Sequence, residues 1–222
     1  MLGAKIYQEY ESLEIKPPVT FGLIGILVGL HIAPAFRSSL NEVCLSARAY
    51  DLQRVVMSAL THADDVHLYY NVGSFLVKGV LLEQRMGSET FFAFVAFSVF
   101  SSAAIYVALS SLLYDAGCAV GFSAALFAMK VVLNRDHGPE DRASVWGISV
   151  AARHAHWLEI VVASYVNPRS SLLGHAAGAL AGLLWLSLPD MKKAAPGAFR
   201  GATTTPRYAY ARGTAPSERV FI

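Results

Sequence analysis

Three stretches of this chain, 17–36, 91–114 and 170–189, contain no charged residue. Each reaches the roughly 20 apolar residues that a helix needs to cross a bilayer. Such stretches must sit in lipid or be hidden from water, and that requirement limits what the chain can fold into. Three shorter apolar runs lie between them. Residues 67–82 are broken only by Lys78, residues 116–134 only by Lys130 with Asp115 at the edge, and residues 154–168 carry Glu159. Lys78 and Lys130 fall near the far ends of their runs, so their aliphatic stems are expected to carry the charge to the interface. Six helices are the simplest count, and the expected fold is all-α: a polytopic membrane bundle spanning residues 17–189.

Composition agrees. Of 222 residues, 55% are hydrophobic and 15% charged, which is too apolar for an ordinary soluble domain of this length. A net charge of +2 gives no argument for a nucleic-acid partner, and none is expected. Cys44 and Cys118 are too few for a disulfide framework or a zinc pattern; no metal or cofactor is expected. The two cysteines are either one bridge or two separate small core residues. The N-terminus lacks a basic region followed by an apolar one and a small-residue cleavage site. The first helix is therefore expected to act as an uncleaved signal anchor.

Lys and Arg set the orientation. With the N-terminus cytosolic, twelve of them (Lys5, Lys16, Arg85, Arg135, Arg142, Arg153 and six in the tail) lie on the cytosolic side. Arg37, Arg48, Arg54 and Arg169 lie opposite. That bias predicts both termini in the cytosol. The segment 1–16 is then a cytosolic N-terminal piece, and 190–222, polar and rich in Ala, Gly, Thr and Pro, is expected to be a disordered basic tail. In the first loop, Leu40, Val43, Leu45, Leu52, Val55, Val56 and Leu60 recur at near-helical spacing. This predicts one or two helices lying in the interface.

The topology brings chemistry to one level. Helices two, four and six all run from the non-cytosolic face toward the cytosol. His67 and Asn71 open the second, Ser123 the fourth and His175 the sixth, so four polar groups share one depth below the same surface. His67 and Asn71 are four apart and project from one face. His175, Gly178 and Gly182 also share a face, and the glycines let a neighbouring helix approach closely. Singly, each feature has a structural reading: a back-bonded helix serine, a packing pair, an interfacial histidine. Together they are the parts of a hydrolase. Ser123 attacks a carbonyl, and His175 takes its proton and returns it to the leaving group. Phe127, one turn after Ser123, is placed to stack on that imidazole. No Asp or Glu is suitably placed as a third member, so a dyad is expected. Asn71, a His67 ring N–H and the Ser123 backbone N–H are the candidate oxyanion donors. The fourth run is short, so its first turn starts below the surface, where its free N–H groups favour negative charge. Non-helical backbone at that depth requires a water-filled cavity.

These residues resemble the rhomboid intramembrane serine proteases. His62-Ala-Asp-Asp-Val-His67-Leu-Tyr-Tyr-Asn71 is similar to the family's His-x-x-x-Asn motif with its upstream histidine. Glu83-Gln-Arg85-Met-Gly87-Ser88 resembles the turn that follows. Gly121-Phe-Ser123-Ala124 matches Gly-x-Ser-Gly except at the last position, and His175-Ala-Ala-Gly178-Ala-Leu-Ala-Gly182 matches the sixth-helix motif. The resemblance covers about residues 17–189. It implies a six-helix fold, a Ser123–His175 dyad supported by Gly121, Phe127, Gly178, Gly182 and His62, and cleavage of transmembrane proteins, chiefly single-pass, near the membrane surface.

The wording around His62 and the run Lys78-Gly-Val-Leu-Leu-Glu83 are most similar to the endoplasmic-reticulum subfamily linked to quality control. Two departures stand out: Ala124 replaces a glycine, and the first loop lacks the Trp-Arg pair found in many rhomboids. The tail carries neither an acidic ubiquitin-binding helix nor an arginine-rich ATPase-binding helix, so no such partner is expected beyond substrates and the bilayer. The alternative is a catalytically inactive rhomboid-like protein that binds membrane clients and passes them to degradation. A channel or transporter would need internal repeats or paired broken helices, and neither is present in the sequence.

Overall fold

The computed structural model describes residues 16–33, 39–114, 117–135, 137–167 and 170–188. Asp115, the segment before residue 16 and the tail from 189 onward lie outside the described residues. Eight α-helices follow one another among them: α1 (Pro18–Ile32), α2 (Leu40–Val43), α3 (Leu52–Leu60), α4 (Asp65–Met86), α5 (Ser88–Leu112), α6 (Ser123–Asn134), α7 (Ala155–Val166) and α8 (Leu172–Ser187). The two short ones, α2 and α3, lie in the first loop.

The helix starts follow local chemistry. Pro18 sits in the first turn of α1, where its missing N–H costs nothing. Asp51 and Ser171 accept backbone N–H bonds at the starts of α3 and α8, and Asp64 accepts from the His67 N–H at 2.8 Å at the start of α4. A single residue, Gly87 at φ +79°, ends α4 and opens α5. The start of α1 is held from a distance. Buried Glu83, near the end of α4, accepts from the Val19 N–H at 2.9 Å, and from the Thr20 N–H and hydroxyl at 2.7 Å each. It also accepts from the Ser88 hydroxyl at 2.7 Å, so one carboxylate fastens the beginnings of α1 and α5 to the end of α4.

Twelve-residue α6 is the centre of the bundle and packs against α4, α5, α7 and α8. Phe75, Phe91, Phe94, Phe122 and Met129 are fully buried around it. The outside has the opposite character from a water-soluble protein. Phe92, Phe100, Val161, Tyr165, Leu183 and Leu184 are exposed, while Thr20, Asn71, Ser98, Ser102, Ser110 and His175 are buried. Helix α5, 25 residues and ~37 Å long at ~1.5 Å per residue, is the one described helix both long and apolar enough to cross a membrane. Only 33% of its apolar window is buried within the protein, so the rest needs an apolar surround. Helices α1, α6 and α8 are shorter apolar helices.

One expectation needs correction. The chain is not purely helical: Arg142–Val145 (β1) and Ile148–Ala151 (β2) form an antiparallel hairpin between α6 and α7. Its two turn residues, Trp146 at φ +52° and Gly147 at φ +83°, have the two positive φ values whose twist matches that of paired strands. Lys130 finds a partner inside the protein. Its ammonium meets Glu159 of α7 at 2.8 Å, and Lys78 donates to Ser74. A buried charge costs several kcal/mol unless partnered, so the charges on α6 and α7 neutralise one another across the helix contact.

Candidate active site

The first loop grips the segment that leads into α6. Leu45 and Ala119 exchange backbone hydrogen bonds at 3.0 and 2.9 Å, and the Gly121 N–H donates to the Ser58 carbonyl at 2.7 Å. Cys44 and Cys118 are joined by a disulfide, with Cα atoms 5.5 Å apart. Of the two readings open for the cysteines, the bridge is the one realised.

Each position of Gly121-Phe122-Ser123 has a separate physical task. Gly121 has φ +107°, and a Cβ there would fall 2.6 Å from His67 Cε1 and 2.7 Å from its Nε2, so the histidine ring occupies the space a side chain would need. Phe122 is buried and meets the Phe75 ring edge to face at 4.8 Å. Ser123 is the first residue of α6, and no side chain caps that helix start. Its first-turn N–H groups and positive dipole end therefore lie beside the serine hydroxyl.

His175, one turn into α8, is buried, and its Nε2 lies 3.1 Å from Ser123 Oγ. The Phe127 ring stands 4.6 Å from the imidazole at an interplanar angle of 43°. The other ring nitrogen, Nδ1, lies 3.3 Å from the Ser164 hydroxyl on α7. Sequence reasoning missed Ser164. Beyond His175, α6 and α8 touch backbone to backbone. A Cβ on Gly178 would fall 2.7 Å from Ala124 Cα, and one on Gly182 would fall 2.7 Å from the Ala128 carbonyl oxygen. The Ala124 atoms nearest to that position on Gly178 are backbone atoms.

His62, His67 and Asn71 form the neighbouring wall, all buried. The two imidazoles meet edge to face at 5.1 Å. The His62 Nε2 accepts from the Phe122 N–H at 3.4 Å. Burial, reinforced by the nearby His67, pushes the His62 pKa down to about 3, so at neutral pH the ring keeps the lone pair that this bond requires. Asn71 differs from a simple donor role. One N–H of its amide donates to the His67 carbonyl at 2.8 Å, which leaves the second N–H of the same NH2 group as the one that can serve an oxyanion.

A cavity of about 50 Å³ opens beside Ser123, bounded by Ser58, Val99, Ser102, Tyr106 and Ser171 among others. At ~15 Å³ for each water centre this is room for about three waters, and hydroxyl groups line it.

A bundle with an apolar exterior, holding a serine, three histidines and an asparagine together beneath it, defines a membrane protein with a polar interior site. Residues 49–188 match the Rhomboid domain family. Rhomboid-like protein 14, mitochondrial, of Arabidopsis thaliana is 38% identical over 205 residues, covering 85% of this chain and 61% of that protein. Rhomboid-related protein 4 of Homo sapiens is 36% identical over 209 residues, covering 87% of this chain and 65% of that protein. Rhomboid-like protein 15 of Arabidopsis thaliana is 29% identical over 156 residues, or 64% of this chain and 38% of that protein. The chain belongs to the rhomboid family, whose members are integral membrane proteins, and it spans under two thirds of the length of the first two of these relatives.

Proposed function

We propose that the protein is an intramembrane serine endopeptidase acting through a Ser123–His175 dyad. The observation that carries the reading is the 3.1 Å approach of Ser123 Oγ to His175 Nε2 at an uncapped helix start. His175 takes the Ser123 proton as Oγ bonds to the peptide carbonyl carbon, and the carbonyl electrons move onto oxygen. The Ser123 N–H, His67 and Asn71 stabilise that oxyanion. His175 then gives its Nε2 proton to the amine as the C–N bond breaks. A water from the adjoining cavity, deprotonated in turn by His175, releases the acyl group and restores the serine.

In this reading six helices, α1 and α4–α8, cross the bilayer with both termini cytosolic. α2 and α3 lie at the non-cytosolic interface, and the membrane is that of the endoplasmic reticulum. Substrates are single-pass proteins, because a peptide bond reaches Ser123 only after its segment leaves the helical state that hides its carbonyls. The test is purified protein in liposomes offered a panel of transmembrane peptides, with cut sites mapped by mass spectrometry. Cleavage in the non-cytosolic part of the span supports the assignment. Peptides bound but never cut would instead identify an inactive client-binding protein.

A further inference from the structure

We propose that Ser164 of α7 is a positioning residue for His175: its hydroxyl holds the Nδ1–H of the imidazole, so that Nε2 turns its lone pair toward Ser123. The inference rests on the dyad reading above and adds a third member to it. A neutral imidazole carries one proton on one of two nitrogens. If that proton sat on Nε2, His175 would only donate to Ser123 and could not act as its base. The tautomer that works needs a partner for Nδ1–H, and at a buried position an unpartnered N–H is costly. Ser164 Oγ, 3.3 Å from Nδ1, is that partner.

The one acidic residue of α7 is otherwise engaged. Glu159, on the same helix, lies five residues before Ser164 and is paired with Lys130 at 2.8 Å. The other described contacts of the ring, Ser123 at Nε2 and Phe127 at its face, leave Nδ1 to Ser164. A hydroxyl also suits the surroundings. A carboxylate within an apolar bundle would itself need a partner, whereas serine accepts the proton's bond at no charge cost. Through the cycle the Nδ1–H stays in place. Ser123's proton enters at Nε2, the imidazolium exists while the oxyanion does, and the proton leaves from Nε2 to the amine.

Ser164→Ala removes the acceptor, and Ser164→Thr keeps it. In serine hydrolases with a carboxylate at this position, loss of the orienting group lowers kcat by about 10⁴. A neutral hydroxyl is weaker, so Ser164→Ala should lower kcat on a transmembrane peptide in liposomes by about 10- to 100-fold. KM should stay within twofold, and Ser164→Thr should recover most of the rate. Protein labelled with ¹⁵N-histidine reads the tautomer directly in micelles, the His175 signal being identified by its loss in His175→Gln. Wild type should show the Nδ1–H form, and Ser164→Ala a shift toward Nε2–H. An unchanged kcat, or an unchanged tautomer in Ser164→Ala, overturns the proposal. If wild type cuts nothing yet the tautomer still depends on Ser164, the protease reading fails while the Ser164–His175 link stands.

Discussion

Replacing Gly178 by alanine adds one methyl group at the narrowest contact between α6 and α8. That carbon would fall 2.7 Å from both Cα and the carbonyl carbon of Ala124, whereas carbon atoms settle at about 3.5–4.0 Å. The obstructing atoms are backbone, so no rotamer change relieves them, and the helices must part by about 1 Å. Ala124 is the neighbour of Ser123, and Gly178 lies one turn beyond His175. The opening is therefore transmitted almost undiminished to the dyad. A separation of 3.1 Å stretched by that amount no longer makes a hydrogen bond. A misplacement of about 1 Å costs on the order of 10²-fold in rate, and overpacking costs about 1–3 kcal/mol in stability.

The assay is kcat on a transmembrane peptide in liposomes, with thermal unfolding measured in parallel. Gly182→Ala should cost comparable stability, since its Cβ would fall 2.7 Å from the Ala128 carbonyl oxygen and 2.9 Å from Val131 Cβ. Being a turn further from His175, it should lose less rate. Gly73→Ala on α4 is the control: its added Cβ meets nothing within 4 Å, so helix propensity alone should leave it neutral or up to ~1 kcal/mol more stable. Full activity in Gly178→Ala would refute the idea that this contact holds His175 against Ser123.

Three further outcomes are expected. Cys44 and Cys118 are 74 residues apart, and freeing a loop of that length gives the unfolded chain entropy worth about 4.5 kcal/mol. Cys44→Ser with Cys118→Ser, or reduction, should therefore lower the unfolding temperature, and an unchanged melting curve would contradict it. Asn71→Ala should reduce kcat by roughly 10²-fold with KM little altered, and His67→Ala should do so less severely. A change confined to KM would make Asn71 a structural residue that fixes α4 through its bond to His67. In substrates, replacing a Gly or Pro in the non-cytosolic part of the span by Leu should restore helix stability, by up to ~1 and ~3 kcal/mol respectively. Cleavage should fall accordingly, and equal cleavage of an uninterrupted poly-Leu span would rule out local unwinding as the source of selectivity.

The apolar runs were readable because hydrophobicity is a property of consecutive residues, and the six described α-helices of twelve residues or more lie within or across them. Spacing of three, four and seven likewise put His175, Gly178 and Gly182 on one face, since helical periodicity is local. What escaped reading depends on how helices sit against one another. Ser164 reads in sequence as an ordinary helix hydroxyl, and only the packing of α7 on α8 turns it toward Nδ1. Lys130 and Glu159 are 29 residues apart, and their pairing follows from the α6–α7 contact rather than from either run. Asn71 and His67 were readable as one face, but their spacing did not reveal that the amide bonds back to the His67 carbonyl. The hairpin had a local signal in Val145-Trp146-Gly147-Ile148, with β-branched residues flanking a turn glycine.

The central claim is that Ser123 and His175 form one catalytic unit, and a double-mutant comparison tests it most directly. Purified wild type, Ser123→Ala, His175→Ala and the double variant are reconstituted in liposomes and assayed for kcat on one transmembrane peptide. Residues that act together lose the same activity singly or jointly, so all three variants should fall to the same background. Appreciable cleavage by Ser123→Ala, or a double variant slower than either single one by the product of their losses, would contradict the account.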